Sequence, residues 1–206
     1  MESGGSDTCK RPYELGKRLD QMGRTKAAVL GAAREQLKSG GMREFSMESL
    51  AKASGVTRQT IHNLFGTRAV LLETLFDQIA RESGMERMRD VMTTREAGAM
   101  LDGFVEVFST FWAKNRLLLK RIHGLAAIDP EFGKAIEGRN QRRHGAAVRV
   151  VERMGRNARG ERADRIACLV ALTSFEFFDA LTESFGNLEA AQKRLPELIR
   201  NALLKD

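Results

Sequence analysis

The sequence predicts an all-α protein of about nine helices, and three observations carry that expectation. Prolines number 3 in 206 residues. Good helix formers (Ala, Leu, Arg, Glu, Met) are abundant while runs of β-branched residues are few. Apolar side chains also recur at three- and four-residue steps along most of the chain. With 42% hydrophobic residues the chain can bury a substantial core, in one domain or in a small one joined to a larger one.

Residues 1–24, with Gly4, Gly5, Pro12 and scattered Lys and Arg, show weak periodicity and read as a flexible basic arm. From Lys26 to Ser39, the positions Leu30, Ala33 and Leu37 mark a first helix, which Gly40-Gly41 can stop. Ser46 can cap a second helix that reaches Ser54, and Glu48 suits the positive end of its dipole. Thr57 can cap a third, ending at Phe65. Gly66-Thr67 then restart the chain as a long fourth helix carrying Val70, Leu71, Leu75, Phe76 and Ile79, with Gly84 a candidate hinge late in it.

Beyond residue 94 a second core is expected. Ala97, Leu101, Phe104, Phe108 and Phe111 form one stripe, and Leu118, Ile122 and Leu125 continue on another helix. Asp129-Pro130 reads as an N-cap followed by proline at the first helical position, with that helix reaching Met154. The stretch 166–185 is apolar around most of its circumference, so it needs cover on more than one side. Pro196 predicts a kink or restart in the last helix, 188–204.

The formal charge is +7, which favours polyanionic partners. Two cysteines far apart in sequence give neither a disulfide framework nor metal-ligand spacing, and no apolar run reaches the roughly 20 residues of a membrane helix. A cytoplasmic protein without cofactor, metal or membrane partner is expected. Three histidines on separate predicted helices, with no nucleophile-base pairing around them, argue against an enzyme.

Residues 50–68, LAKASGVTRQTIHNLFGTR, carry the sharpest signal. Two short helices crossing at a tight turn need a close approach and an unusual backbone conformation. Ala51 and Gly55 meet those needs, with Leu50, Val56, Ile61 and Leu64 as the apolar wedge. The remaining face of the third helix offers Thr57, Arg58, Gln59, Thr60, His62 and Asn63, whose donors and acceptors suit phosphates and base edges in a major groove.

With the segments around it, this stretch resembles the N-terminal domain of the TetR family of bacterial transcriptional regulators, over roughly residues 25–76 of the sequence. The resemblance implies a helix-turn-helix DNA-binding head (25–68) and, in 69–206, a linking helix with a helical ligand-binding and dimerisation body. It also implies no catalysis. Carried over position by position, it puts Ser46 and Met47 against a phosphate, Thr57, Arg58, Gln59 and Thr60 at reading positions, and Arg68 where the family usually has a phosphate-binding lysine. His62 stands where relatives commonly have tyrosine. An imidazole donates most strongly when protonated, so operator affinity should fall as pH rises through the histidine range.

For the body, a cavity for a small effector needs apolar walls with a few convergent polar groups. Phe104, Phe108, Phe111, Trp112, His123, Phe175, Glu176 and Phe178 are the candidates. The apolar stretch 166–185, with Leu195, Leu198, Ile199, Ala202 and Leu203, suggests a homodimer through residues 161–204. Charge is densest away from the head: residues 134–165 hold 10 Lys and Arg against 4 Asp and Glu. Arg142, Arg149, Arg153 and Arg156 recur on one helical face opposite Ala147, Val151 and Met154, so a solvated face explains this most simply, and an anionic effector or extra DNA contact is the sharper alternative. The expected function is a sequence-specific regulator of a palindromic operator on double-stranded DNA, a repressor released by an unknown small molecule. The rivals are a nonspecific nucleoid-type DNA binder and a helical protein-interaction adaptor.

Overall fold

A computed structural model describes residues 10–39, 45–155 and 160–204. Ten α-helices and one 3-10 turn lie among the described residues: α1 (Lys10–Ser39), α2 (Met47–Ser54), α3 (Arg58–Phe65), α4 (Arg68–Glu82), the 3-10 turn Met85–Arg87, α5 (Met88–Val91), α6 (Ala97–Ala126), α7 (Pro130–Met154), α8 (Arg162–Leu172), α9 (Phe175–Phe185) and α10 (Leu188–Leu203). The chain divides into two compact units, Met1–Leu75 and Phe76–Asp206.

In the first unit, α1 packs on α2 and α3. Val29, Leu30, Ala33 and Leu37 of α1 are buried with Leu50, Ala51, Ile61 and Phe65. The helix starts at Lys10, well before the expected Lys26. Residues 16–24 lie in it exposed, so no apolar stripe could announce them, yet they are mostly good helix formers. Pro12 falls in the first turn, where its missing N–H has no intrahelical acceptor in any case. Residues 1–9 of the expected arm and the Gly40-Gly41 stop lie outside the described residues.

Ser46 caps α2 in a reciprocal box with Ser49, not with the expected help of Glu48 alone: Ser49 N donates to Ser46 Oγ at 3.1 Å and Ser46 N to Ser49 Oγ at 3.0 Å. Gly55 ends α2 in the left-handed region, φ 69°, and Thr57 caps α3 by accepting from Thr60 N at 3.0 Å. Each such cap contributes about 1 kcal/mol.

In the second unit α6 is the central helix, packing on α5, α7, α9 and α10. It is one 30-residue helix where two were expected. The polar Lys114-Asn115-Arg116 does not break it, because buried Asn115 donates to Ser83 Oγ at 2.7 Å and to its own helix at Phe111 O, 2.9 Å. The converse holds for 166–185: Thr173 ends α8, and Ser174 caps α9 by accepting from Phe177 N at 3.1 Å. That break lets two short helices each bury a stripe, instead of one helix needing cover all round. Gly84 is not inside α4 but beyond its end, with φ 79°. The last helix runs through Pro196 without a restart. Leu195, Ile199 and Leu203, expected at a dimer interface, are buried within the subunit, where α10 packs on α6, α8 and α9. Asp129 and Pro130 open α7 as expected.

The turn between α2 and α3 allows a backbone test. A Cβ added at Gly55 or at Gly31 on α1 meets nothing within 4 Å, but only Gly55 has positive φ. Gly55→Ala should destabilise the protein by about 1 kcal/mol through left-handed strain, and Gly31→Ala should stabilise it by about 0.5–1 kcal/mol, read as opposite shifts of the urea unfolding midpoint.

Candidate functional site

Helix α3 has only eight residues, too few to persist alone, so its position is set by the side chains it buries. Ile61 and Phe65 are buried, and Leu64 is half-buried. Four residues of the opposite face, Arg58, Gln59, His62 and Asn63, are exposed, as is the capping Thr57; Thr60 is half-buried. Two local bonds order this face: Gln59 Nε2 donates to Asn63 Oδ1 at 2.9 Å, and the hydroxyls of Thr57 and Thr60 lie 2.9 Å apart. Around it, Ser46 is exposed at the start of α2 with Met47 half-buried beside it, and the Arg68 guanidinium sits over the Phe45 ring, 5.5 Å from its centroid. The first unit therefore brings all nine sequence-derived positions into the two capped helices and the head of α4.

The second unit contains a mostly apolar cavity of about 360 Å³. Its walls include Phe76, Ile79 and Ala80 of α4, Met85 and Met88 of the segment after it, Phe108, Phe111, Trp112 and His123 of α6, and Arg139, Asn140, Arg142, Arg143 and Arg149 of α7. Of the eight residues expected there, four line it. Phe104 and Phe178 are fully buried core. Phe175 lies behind the wall, its ring 5.7 Å from Trp112 and 4.7 Å from His123. Glu176 opens instead onto a shallow neighbouring groove with His123 and His144. The sequence reading missed Met85, Met88, Arg139 and Arg143. The face read as solvated is exposed at Arg142, Arg149 and Arg153, with Arg156 outside the described residues, whereas Arg139 and Arg143, in the same basic stretch but to one side of that face, lie half-buried and buried respectively.

Two hydrogen bonds tie the aromatic wall to the basic one. Trp112 Nε1 donates to Thr173 O at 3.1 Å, and Arg143 donates to the Thr173 hydroxyl, also at 3.1 Å. His123 Nδ1 pairs with Glu176 Oε1 at 2.8 Å. That bond holds the Glu176 carboxyl down at about 2, against burial that acts the other way.

The comparisons with known proteins address both units. A family model for bacterial regulatory proteins of the tetR family matches residues 29–75. Residues 29–75 are a TetR-family domain. That domain is the helix-turn-helix, DNA-binding kind. Solved structures share the fold over nearly the whole chain. One is a TetR transcription regulator from Haloarcula marismortui, 15% identical, with 88% of this chain and 99% of that one covered and a TM-score of 0.65. Another is NalD from Pseudomonas aeruginosa, the secondary repressor of the MexAB-OprM multidrug efflux pump, 20% identical, with 90% and 98% covered and a TM-score of 0.67. A third, from Saccharomonospora viridis, was crystallised in complex with choline: 15% identical, 89% and 100% covered, TM-score 0.65. No curated protein matches. Among the described residues, no helix of this chain is long and apolar enough to cross a membrane.

The Glu176–His123 pair has a pH signature. A carboxyl with a depressed folded pKa adds stability above its ordinary value of about 4.5, and that contribution is lost as pH falls towards about 2. Glu176→Gln should remove this component, so thermal midpoints recorded from about pH 6 downward should converge for the variant and the native chain at the acid end.

Proposed function

We propose that this chain is a TetR-family repressor that binds a palindromic operator as a homodimer and is released when a small molecule enters the cavity of its body. One observation carries the release step. α4 is a single helix whose first residue is Arg68 and whose later residues, Phe76, Ile79 and Ala80, line the cavity. A ligand packed there bears on the helix that leads out of the DNA-binding head, and a ligand shifts an equilibrium only by its differential contacts with the two states. Gly84, at the left-handed stop beyond α4, is where that movement would hinge, and the buried Asn115–Ser83 bond is where it would be resisted.

On the head, Arg58 and Gln59 are the base readers and Thr57, Thr60, His62 and Asn63 serve bases or backbone. Ser46, Met47 and Arg68 take phosphates. Phe185 on α9 and Leu198 on α10 are exposed at 44% and 41%, which supports a dimer through 161–204 even though much of α10's apolar face is used internally. Pairing there would set two α3 helices about 34–36 Å apart.

Selection from random DNA should return a palindrome with half-sites about one helical turn apart. Arg58→Ala should cost about 1–3 kcal/mol of specific binding and relax one base position. Arg68→Ala should weaken all sequences alike and reduce the salt slope by about 1. Binding with a salt slope but no sequence preference would favour the nonspecific binder, and no DNA binding would favour the adaptor.

A further inference from the structure

The cavity carries positive charge that its own wall does not balance. Arg139, Arg142, Arg143 and Arg149 line it, with no Asp or Glu among the described lining residues. Arg139 is engaged elsewhere, bonded to Asp77 at 2.9 Å and lying over the Phe76 ring. Arg143 is different. It is only 6% exposed, and the groups that accept from it are neutral: the Val170 carbonyl, the Thr173 hydroxyl at 3.1 Å and the Asn140 amide oxygen at 3.4 Å. Its Nε is buried with no acceptor. Burial pushes Arg143 below the usual arginine range, yet a guanidinium stays charged in a protein. Glu176 acts on it through space, but that carboxylate is bonded to His123 and largely exposed.

A buried cation with neutral partners costs stability that a hydrophobic side chain in its place would not. Here it sits beside Phe108, Phe111 and Trp112, in a chamber with room for a ligand. We propose that the cavity takes an amphipathic organic anion, whose apolar body packs against the aromatic and methionine wall while its carboxylate, phosphate or sulfonate head meets Arg143, with Arg142 and Arg149 adding to the attraction. This rests on the reading of the cavity as the effector site. It specifies the ligand's charge and shape, which that reading does not.

Trp112 is the chain's single tryptophan and lines the cavity, so its fluorescence reports occupancy without DNA. Decanoate, decanol and decyltrimethylammonium, each kept below its micelle concentration, share one apolar tail and differ in head charge. In the native full-length chain decanoate should bind about tenfold or more tighter than decanol, with the cation weakest, as a charge-assisted hydrogen bond in a low-dielectric site implies. Arg143→Gln should abolish that preference while decanol binding stays within about threefold. Decanol or the cation binding as well as decanoate, no binding by any of the three, or a folded Arg143→Gln that keeps the full preference would each overturn the inference. The ranking is read in the native chain, so the inference can fail there whether or not the variant folds. Decanoate that binds through Arg143 but leaves operator affinity unchanged would instead overturn the release mechanism alone.

Discussion

The DNA-binding half of this protein depends on one seam. An eight-residue helix cannot pay its own nucleation cost, so α3 exists because Ile61 and Phe65 are buried in the same core as Leu50 and Ala51 of α2 and the apolar stripe of α1. The caps at Ser46 and Thr57 and the left-handed Gly55 fix where each helix begins and ends. With two positions committed to the seam, the rest of α3 is released from packing and can be polar. Burial and polarity are thus divided between the two faces of one short helix.

The body solves a different problem. A cavity weakens a core by removing contacts, and a buried guanidinium weakens it further. Both are tolerated because the surrounding frame is well satisfied: long α6 and α7 pack on one another, and a network of Arg116, Lys120, Asp179 and Glu183 pins α6 to α9. Asn115, buried in mid-helix, is bonded to Ser83 and so anchors the segment that follows α4. A well-bonded frame thus surrounds a poorly satisfied chamber.

Much of this was legible from residues alone. The head was, because its signals are local: a cap, a turn glycine and a strict alternation of faces over a few residues, which short-range chemistry determines. The body was legible in its α-helical class and in four cavity residues, Phe108, Phe111, Trp112 and His123. Its errors share one cause. Whether Asn115 breaks a helix depends on Ser83, thirty-two residues away, and whether Leu195, Ile199 and Leu203 face a partner or their own core depends on how α10 packs against α6. The face of α7 read as solvated is exposed at Arg142, Arg149 and Arg153. Arg139 and Arg143 lie to one side of that face, and what covers them comes from elsewhere in the chain: Phe76 and Asp77 against Arg139, Val170 and Thr173 against Arg143.

The interruption between α8 and α9 reaches further than helix count. Because the chain turns at Thr173-Ser174, the amide of Ser174 bonds to Ala171, and the carbonyl of Val170 is left without the donor a continuing helix would have supplied. That oxygen accepts from Arg143, and the neighbouring carbonyl of Thr173 accepts from Trp112. The freed Val170 carbonyl thereby stands in for a water against a cation held out of solvent, while the Thr173 carbonyl holds the indole. Residue 174 neither lines the cavity nor belongs to α3, yet a replacement that let the two helices fuse would reclaim the Val170 oxygen and take an acceptor from the guanidinium.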